Sequence, residues 1–280
     1  MSDNSKIEWT DATWNPTRGC TKLSPGCRNC YASNFAERWR GIRNHPFEYG
    51  FDLRLVPHKL IEPIKWMKPR HIFVDSMSDL FHEKIPDYYI EAVFNIIKLS
   101  NWHEFQICTK RSKRMHEFVL KRKNDLPFEN LWLGVSVENR EHGLPRKKDL
   151  QDLPSKIRFL SIEPLLENLG KFDLTNINWV ITGGETGPGA RFMKSKWVYS
   201  IIENCQNSKI PFFFQQWSST NRSRKNYLID NKVFRKKPKF KKKNILSYKE
   251  RLLRIEEANK IIKGLKKYSN SKLFYIKQNH

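Results

Sequence analysis

Several things are missing from this chain, and each absence narrows what it can be. No run of apolar residues approaches the roughly 18 that a membrane span requires, so a chain that does not cross a bilayer is expected. Nothing at the N-terminus resembles a secretory signal, and a reduced, cytoplasmic setting is the expectation. The eight histidines form no H-x-x-H or H-E-x-x-H pair, which removes the helical histidine pair of the metalloproteases. His82, after the string SMSDLF, is the one histidine to watch. Acidic residues are scarce, with 29 Asp+Glu against 52 Lys+Arg and a formal charge of +23. Cysteines number only five, and no internal repeat is visible.

What is present begins with the placement of those cysteines. Cys20, Cys27 and Cys30 share the stretch RGCTKLSPGCRNCYAS, spaced C-x6-C-x2-C, with Ser24, Pro25 and Gly26 turning the backbone between the first two. Disulfide pairing would leave one thiol over, so the loop reads as a metal site. A structural zinc takes four protein ligands, and no local fourth Cys or His follows. A four-iron cluster held by three thiolates leaves one iron open to a small molecule. A cluster, a zinc completed by a distant residue and a metal-free loop all remain open on the spacing alone.

The basic charge is unevenly distributed. Residues 218–280 hold 20 Lys+Arg against 4 Asp+Glu, leaving 32 against 25 for residues 1–217. The expected organisation is therefore a body, 1–217, followed by a basic C-terminal extension, 218–280. In the extension, RSRK at 222–225 and RKKPKFKKK at 235–243, interleaved with Tyr227, Phe234, Phe240 and Tyr248, suit a polyanion such as nucleic acid. A solubilising basic tail is the plainer alternative. A helix is expected over Ser247 to Leu265, with Leu252, Ile255, Ala258 and Ile262 on one side.

Along the body, short β-branched or aromatic runs alternate with helical stretches, which predicts βα units around a parallel sheet. Strands are expected within Ile7 to Trp14, Asp52 to Val56, His71 to Asp75, Glu104 to Thr109, Leu131 to Val137, Ile157 to Ile162, Asn178 to Thr182 and Pro211 to Phe214. Helices are expected at Tyr31 to Arg40, His58 to Met67, Pro86 to Leu99, Ser112 to Lys123 and Lys196 to Gln206. Eight strand candidates suit a complete or partial (β/α) TIM-like barrel. Polar groups close several of the strands: Asp75, Ser76 and Asp79; Thr109, Lys110 and Arg111; Ser136, Glu138 and Asn139; Ser161 and Glu163; Gly183, Gly184 and Glu185; Gln215 and Gln216. For each alone a solvated loop residue is the simpler reading, but barrel active sites lie at that end of the strands.

The strings IEWTDATWNPTRGCTKLSPGCRNCYA, FVDSMSDLFHE, ICTKRSKRM, LWLGVSVENR, LSIEPLL, WVITGGETGPGARFM and PFFFQQW occur in that order over about residues 5–217. In them the chain resembles an uncharacterised bacterial and bacteriophage family with a three-cysteine motif, similar to radical S-adenosylmethionine (SAM) proteins. The resemblance implies a barrel of radical SAM type with a [4Fe-4S] cluster on Cys20, Cys27 and Cys30, SAM as cosubstrate, and a reductant such as flavodoxin or ferredoxin. It also departs from the wider pattern, in which three residues separate the first two cysteines and an aromatic precedes the last. Here six separate them and Asn29 stands in that place, so Tyr31 is the nearest aromatic to lie against an adenine. The Gly-Gly-Glu string comes late in the chain, as Gly183, Gly184 and Glu185.

On that resemblance, Gly183 and Gly184 allow close backbone approach and Glu185 accepts from the methionyl ammonium. Ser136, Glu138, Asn139 and Glu163 are candidates for ribose and methionine contacts, and Lys110 with Arg111 for a phosphate or carboxylate. Lys110, Glu163 and Cys108 are the candidate catalytic residues. Cys108 is a fourth ligand or a hydrogen-atom donor if it is not simply a small core residue, and Cys205 reads as core. The function expected is a radical SAM-like enzyme that modifies or repairs a nucleic-acid or nucleotide substrate. The alternative is a non-catalytic, metal-binding nucleic-acid interaction protein of phage origin. Nothing in the sequence implies an oligomeric state.

Overall fold

In the computed structural model, which describes residues 5–126, 128–221, 226–239 and 245–265, the alternation of pattern becomes an alternation of elements. The chain runs through β1 (Ala12–Trp14), β2 (Thr17–Arg18), α1 (Tyr31–Glu37), β3 (Arg54–Leu55), α2 (Glu62–Lys65) and β4 (His71–Val74). It continues through α3 (Asp87–Leu99), β5 (Glu104–Thr109), α4 (Ser112–Lys121), β6 (Leu131–Ser136), α5 (Arg140–Gln151) and β7 (Ile157–Ile162). The remaining elements are β8 (Trp179–Gly183), α6 (Ser195–Asn207), β9 (Phe212–Gln216), β10 (Leu228–Ile229), β11 (Lys232–Val233) and α7 (Tyr248–Gly264).

Seven strands pair in parallel in the order β1-β4-β5-β6-β7-β8-β9, each beside its predecessor in the sheet. The sheet curls into half a barrel, and β1 and β9 do not close on each other. The fold is a partial (β/α) barrel. One expected strand is not in it: residues 54–55 pair antiparallel with residues 17–18, while the Val56 amide donates to the Pro16 carbonyl at 2.8 Å. The helix expected over 58–67 is broken into a short turn at Pro57–Lys59 and the single turn of α2. Pro57 and Pro63 each lack the amide that a longer helix would need.

Alternation along the strands divides the residues between two faces. Ile72, Val74, Phe105, Ile107, Leu133, Val135, Leu160, Ile162, Val180 and Phe214 belong to the large core, which they share with the helices. On α3 the stripe Ile90, Val93, Phe94 and Ile97 is buried against it, and on α6 Val198, Ile201 and Cys205. The other face, which lines the half-barrel, carries a second cluster of Trp9, Trp132, Phe159, Trp179, Ile181 and Phe213. Trp179 meets Trp132 and Phe213 edge-on at centroid distances of 5.9 and 6.1 Å, so the rings fill the end where the strands begin.

A segment just before residue 240 covers the open edge of β9. The Phe214 amide donates to the Phe234 carbonyl at 2.6 Å, and the Lys236 amide to Phe212 O at 3.0 Å. Trp179 Nε1 donates to Lys236 O at 3.0 Å, Lys237 Nζ donates to Glu8 O at 2.7 Å, and Arg235 pairs with the Glu8 carboxylate. This strap ties the last strand to the residues preceding the first. Further on, α7 starts at a capping box of Ser247 and Glu250 and lies beside α2 and α3, burying Ala258 and half-burying Ile255 and Ile262. Leu252, expected on that side, is exposed instead. The RSRK run at 222–225, Phe240 to Lys243 and the lysines from Lys266 onward lie outside the described residues. Among the described residues no helix is long and apolar enough to cross a membrane.

Candidate functional site

Because the seven strands are parallel, all their C-terminal ends open on one side, and that side is the mouth of the half-barrel. Asp75, Lys110, Ser136, Glu138, Glu163, Gly183 and Gln216 therefore stand around one rim. The cysteine loop reaches the same rim from β1. The Gly19 amide donates to Met77 O at 3.1 Å, Ser78 Oγ donates to Gly19 O at 2.7 Å, and the Cys20 amide donates to Phe51 O at 3.2 Å.

Cys20, Cys27 and Cys30 are half-buried and unbridged. The Cys27 amide closes a turn on Ser24 O at 2.9 Å, and Cys30 is the N-cap of α1. The Cys20 sulfur accepts from an Arg111 guanidinium nitrogen at 3.4 Å. Arg111 in turn pairs with Asp79 at 3.1 Å and Glu83 at 2.9 Å, and donates to Thr21 Oγ1 at 3.0 Å. Burial, aided by the Asp79 carboxylate, pushes the Cys20 thiol up to about 12, against the pull of Arg111. Among the described residues, no group of three or more His, Cys, Asp or Glu side chains is arranged to hold a metal ion as it stands.

The candidate catalytic residues meet across three strand ends. Cys108, on the lining face of β5, lies 3.6 Å from Ser136 Oγ on β6, and burial pushes its thiol up to about 11. Glu163 follows β7, accepts from Ser161 Oγ at 3.1 Å, and is pushed up to about 7 by burial, with the Lys110 cation opposing. Lys110 and Glu163 each act electrostatically on Cys108, so the three are neighbours. Gly183 leaves room for the carboxyl: a Cβ there would stand 2.8 Å from Glu163 Oε1. The Tyr31 hydroxyl reaches into this group, donating to Ser76 O, while about half of the residue stays exposed.

Other expected ligand contacts are engaged within the protein, except Glu138 Oε2, which is buried without a hydrogen-bond partner among the described residues. Both Glu185 oxygens are held by Arg191, and Oε2 also accepts from Asn29 Nδ2 at 2.9 Å. Asn29 donates as well to Gly189 O at 2.7 Å, and Arg191 to Pro25 O at 2.9 Å, so the loop after Gly184 grips the cysteine loop at two points. Gly184 lies against Ser218, whose amide nitrogen would be 2.3 Å from an added Cβ. Glu138 is fully buried, paired with Arg146 at 3.3 Å, and its Oε2 would be 1.9 Å from a Cβ on Gly26. Asn139 caps α5, accepting from the His142 amide at 2.9 Å.

Residues that the sequence pattern does not single out turn out to hold the carboxylates at the rim. Arg191 lies six residues after Glu185 in the same string, and Arg146 eight after Glu138, the latter on a helix the pattern did not reveal. His82 is buried, its Nε2 2.9 Å from Thr21 Oγ1 and its Nδ1 accepting from the Lys84 amide at 3.1 Å. Burial, then the Arg111 cation, depresses its pKa, so it helps hold Thr21 as a neutral ring.

A family model described as a protein of unknown function (DUF5131) matches residues 4–263. The chain belongs to this family. No curated protein and no solved structure matches it. The DUF5131 match takes in the cysteine loop, every strand of the half-barrel, the strap and nearly all of α7.

Proposed function

We propose that this chain is a radical SAM-type iron–sulfur enzyme acting on a nucleic-acid or nucleotide-derived substrate, with a flavodoxin- or ferredoxin-like protein as reductant. The observation that carries the reading is three unbridged, half-buried cysteines on one loop at the mouth of a half-barrel, whose rim also holds Glu163 with its pKa raised to about 7. The donor set suits a three-thiolate cluster in number and kind: Cys20, Cys27 and Cys30 are free thiols on one loop, and Cys20, whose thiol burial pushes up to about 12, would lose its proton on binding iron. As placed the sulfurs do not converge on a common point, so on this reading they gather when the cluster binds.

When bound on Cys20, Cys27 and Cys30, such a cluster would supply one-electron reduction of the SAM sulfonium, the electron coming from the reductant protein. The chain's own residues supply the surroundings. Glu163, at about 7, can hold or release a proton at its carboxyl near neutral pH. Lys110 offers a cation to a phosphate or carboxylate, and Ser136 a hydroxyl to a ribose. The tryptophan-rich cluster fills the half-barrel below the mouth with buried apolar side chains. Glu185 serves this reading by seating the cysteine loop through Asn29 and Arg191, and Glu138, held by Arg146, backs the loop at Gly26.

The test is anaerobic reconstitution with iron and sulfide, reduction with dithionite, and chromatography for 5′-deoxyadenosine after SAM is added, with Cys27→Ala as control. Deoxyadenosine from the wild type alone is expected. Its absence despite an intact, reducible cluster would overturn the assignment. A colourless protein carrying one equivalent of zinc would favour a non-catalytic nucleic-acid interaction protein.

A further inference from the structure

Beside the mouth, the surface carries an apolar row that the core does not use. Tyr31, Phe35 and Trp39 follow one another at four-residue spacing from α1 into the turn beyond it, flanking the stripe of the buried Ala32 and Ala36. Tyr31, Phe35, Trp39 and the nearby Ile42 are 51, 43, 37 and 53% exposed, a concentration of large side chains that a surface does not carry without a use. The rings are braced from behind. Trp39 stacks on His45 at 4.1 Å with an interplanar angle of 19°, and Phe35 meets Phe47 edge-on at 5.6 Å. The row begins at the mouth, because the Tyr31 hydroxyl is bound to Ser76 O there.

The charges around the row decide what it fits. Glu37 and Asp52 are both taken by Arg40, and Glu48 accepts from the Asn44 amide at 3.2 Å. Arg28, Arg38 and Arg43 are exposed on the same stretch and make no ion pair among the described residues. Rigid aromatic faces flanked by unpaired guanidinium groups are the two components of a single-strand nucleic-acid track, with bases on the rings and phosphates on the arginines. A duplex offers no free base faces, and a second copy of this basic chain would bring like charge against like.

We propose that the row Tyr31–Phe35–Trp39, with Arg28, Arg38 and Arg43, binds one strand of nucleic acid and leads its bases to the mouth. The proposal rests on the proposed function only in making the strand the substrate; the binding itself needs no cluster.

The experiment is fluorescence anisotropy of a 5′-labelled oligothymidylate, long enough to span the row, with the full-length protein at several salt concentrations. Phe35→Ala and Trp39→Ala are each expected to weaken binding roughly 5- to 100-fold with the salt slope unchanged. Arg38→Ser with Arg43→Ser should flatten the slope by about 1.4, because each phosphate that a guanidinium neutralises adds ~0.7 to it on a single strand. Trp39→Phe should retain most of the affinity, which separates loss of stacking from loss of fold. Wild-type affinity in both alanine variants, or a duplex bound as tightly as the strand, would overturn the proposal. So would a dimer, seen by sedimentation, that Trp39→Ala disperses. Loss of all binding on Lys241, Lys242 and Lys243→Ser, with the alanine variants unaffected, would move the binding to the basic extension. Strand binding without deoxyadenosine formation would sink the enzyme reading and leave the track standing. Deoxyadenosine formation without strand binding would do the reverse.

Discussion

Arg111 joins the Cys20 sulfur, at 3.4 Å, to the Asp79 carboxylate, at 3.1 Å. The guanidinium is almost wholly buried and also holds Glu83 and both oxygens of Thr21. One cation thus connects the segment after β4, the end of β5 and the start of the cysteine loop. Its five donors suit that branching in a way that a lysine ammonium does not.

Arg111→Ala should therefore destabilise the fold by about 3 kcal/mol, because it leaves the Asp79 charge buried without its partner. Arg111→Lys should recover only part of that loss. Urea denaturation of the single variants and of the Arg111→Ala, Asp79→Ala pair forms a double-mutant cycle. Additive losses would show that the two side chains do not depend on each other.

The grip of the buried Glu185 and the partly exposed Arg191 on the cysteine loop makes a different kind of prediction. Asn29→Ala should raise amide hydrogen exchange over residues 26–30 about tenfold or more while shifting global stability by ~1 kcal/mol or less, since Arg191 still holds Glu185. Exchange unchanged in that segment would mean that the loop is held by its turn and by α1 alone.

How much of this was legible in the sequence depended on the physical signal each element carries. Strands β4 to β9 announce themselves as apolar runs because their sheet is covered, and α3 and α6 show an apolar stripe because they bury one. Helix α5 has no such stripe. It buries Gly143, Arg146, Lys147 and Leu150, so the stems of charged residues do the packing, and Pro145 lies inside it. Residues 54–55 resemble a barrel strand locally, yet their partner is the residue pair 17–18, a choice made by the path of the cysteine loop and not by composition. At the rim, the sequence identified Glu138 and Glu185 as carboxylates at strand ends. It could not reveal that Arg146 and Arg191 would occupy them, because those pairings exist only once the loops are folded.

Gly26 supplies a steric test of how closely the cysteine loop lies on Glu138. A Cβ there would lie 1.9 Å from Glu138 Oε2 and 2.7 Å from its Cδ, and Glu138 is pinned by Arg146 and fully buried. The neighbour cannot yield freely, so Gly26→Ala should cost about 1–3 kcal/mol. Adding Glu138→Ala, which removes the clash, should make the Gly26→Ala step nearly free. A Gly26→Ala cost that is the same in both backgrounds, measured by denaturant midpoints, would place the strain elsewhere in the loop.

Asp75 ends β4 with positive φ and is buried, and burial pushes its carboxyl up to about 8 although the Thr17 amide donates to it at 3.1 Å. In the unfolded chain the same group titrates near 4. The folded state therefore holds the proton over the interval from about 4 to 8 while the unfolded state releases it, and stability falls as pH rises through that window. Asp75→Asn removes this dependence and keeps an oxygen that can accept from Thr17. The variant should match the wild type at pH 4 and be more stable at pH 8.5 by up to about 5–6 kcal/mol, roughly four pKa units at ~1.4 kcal/mol each. Thermal unfolding of both proteins from pH 4 to 9 reads the difference directly. Parallel curves across that range would mean that Asp75 carries the same charge in the folded and unfolded chains, and that its buried oxygen is solvated by something other than the protein.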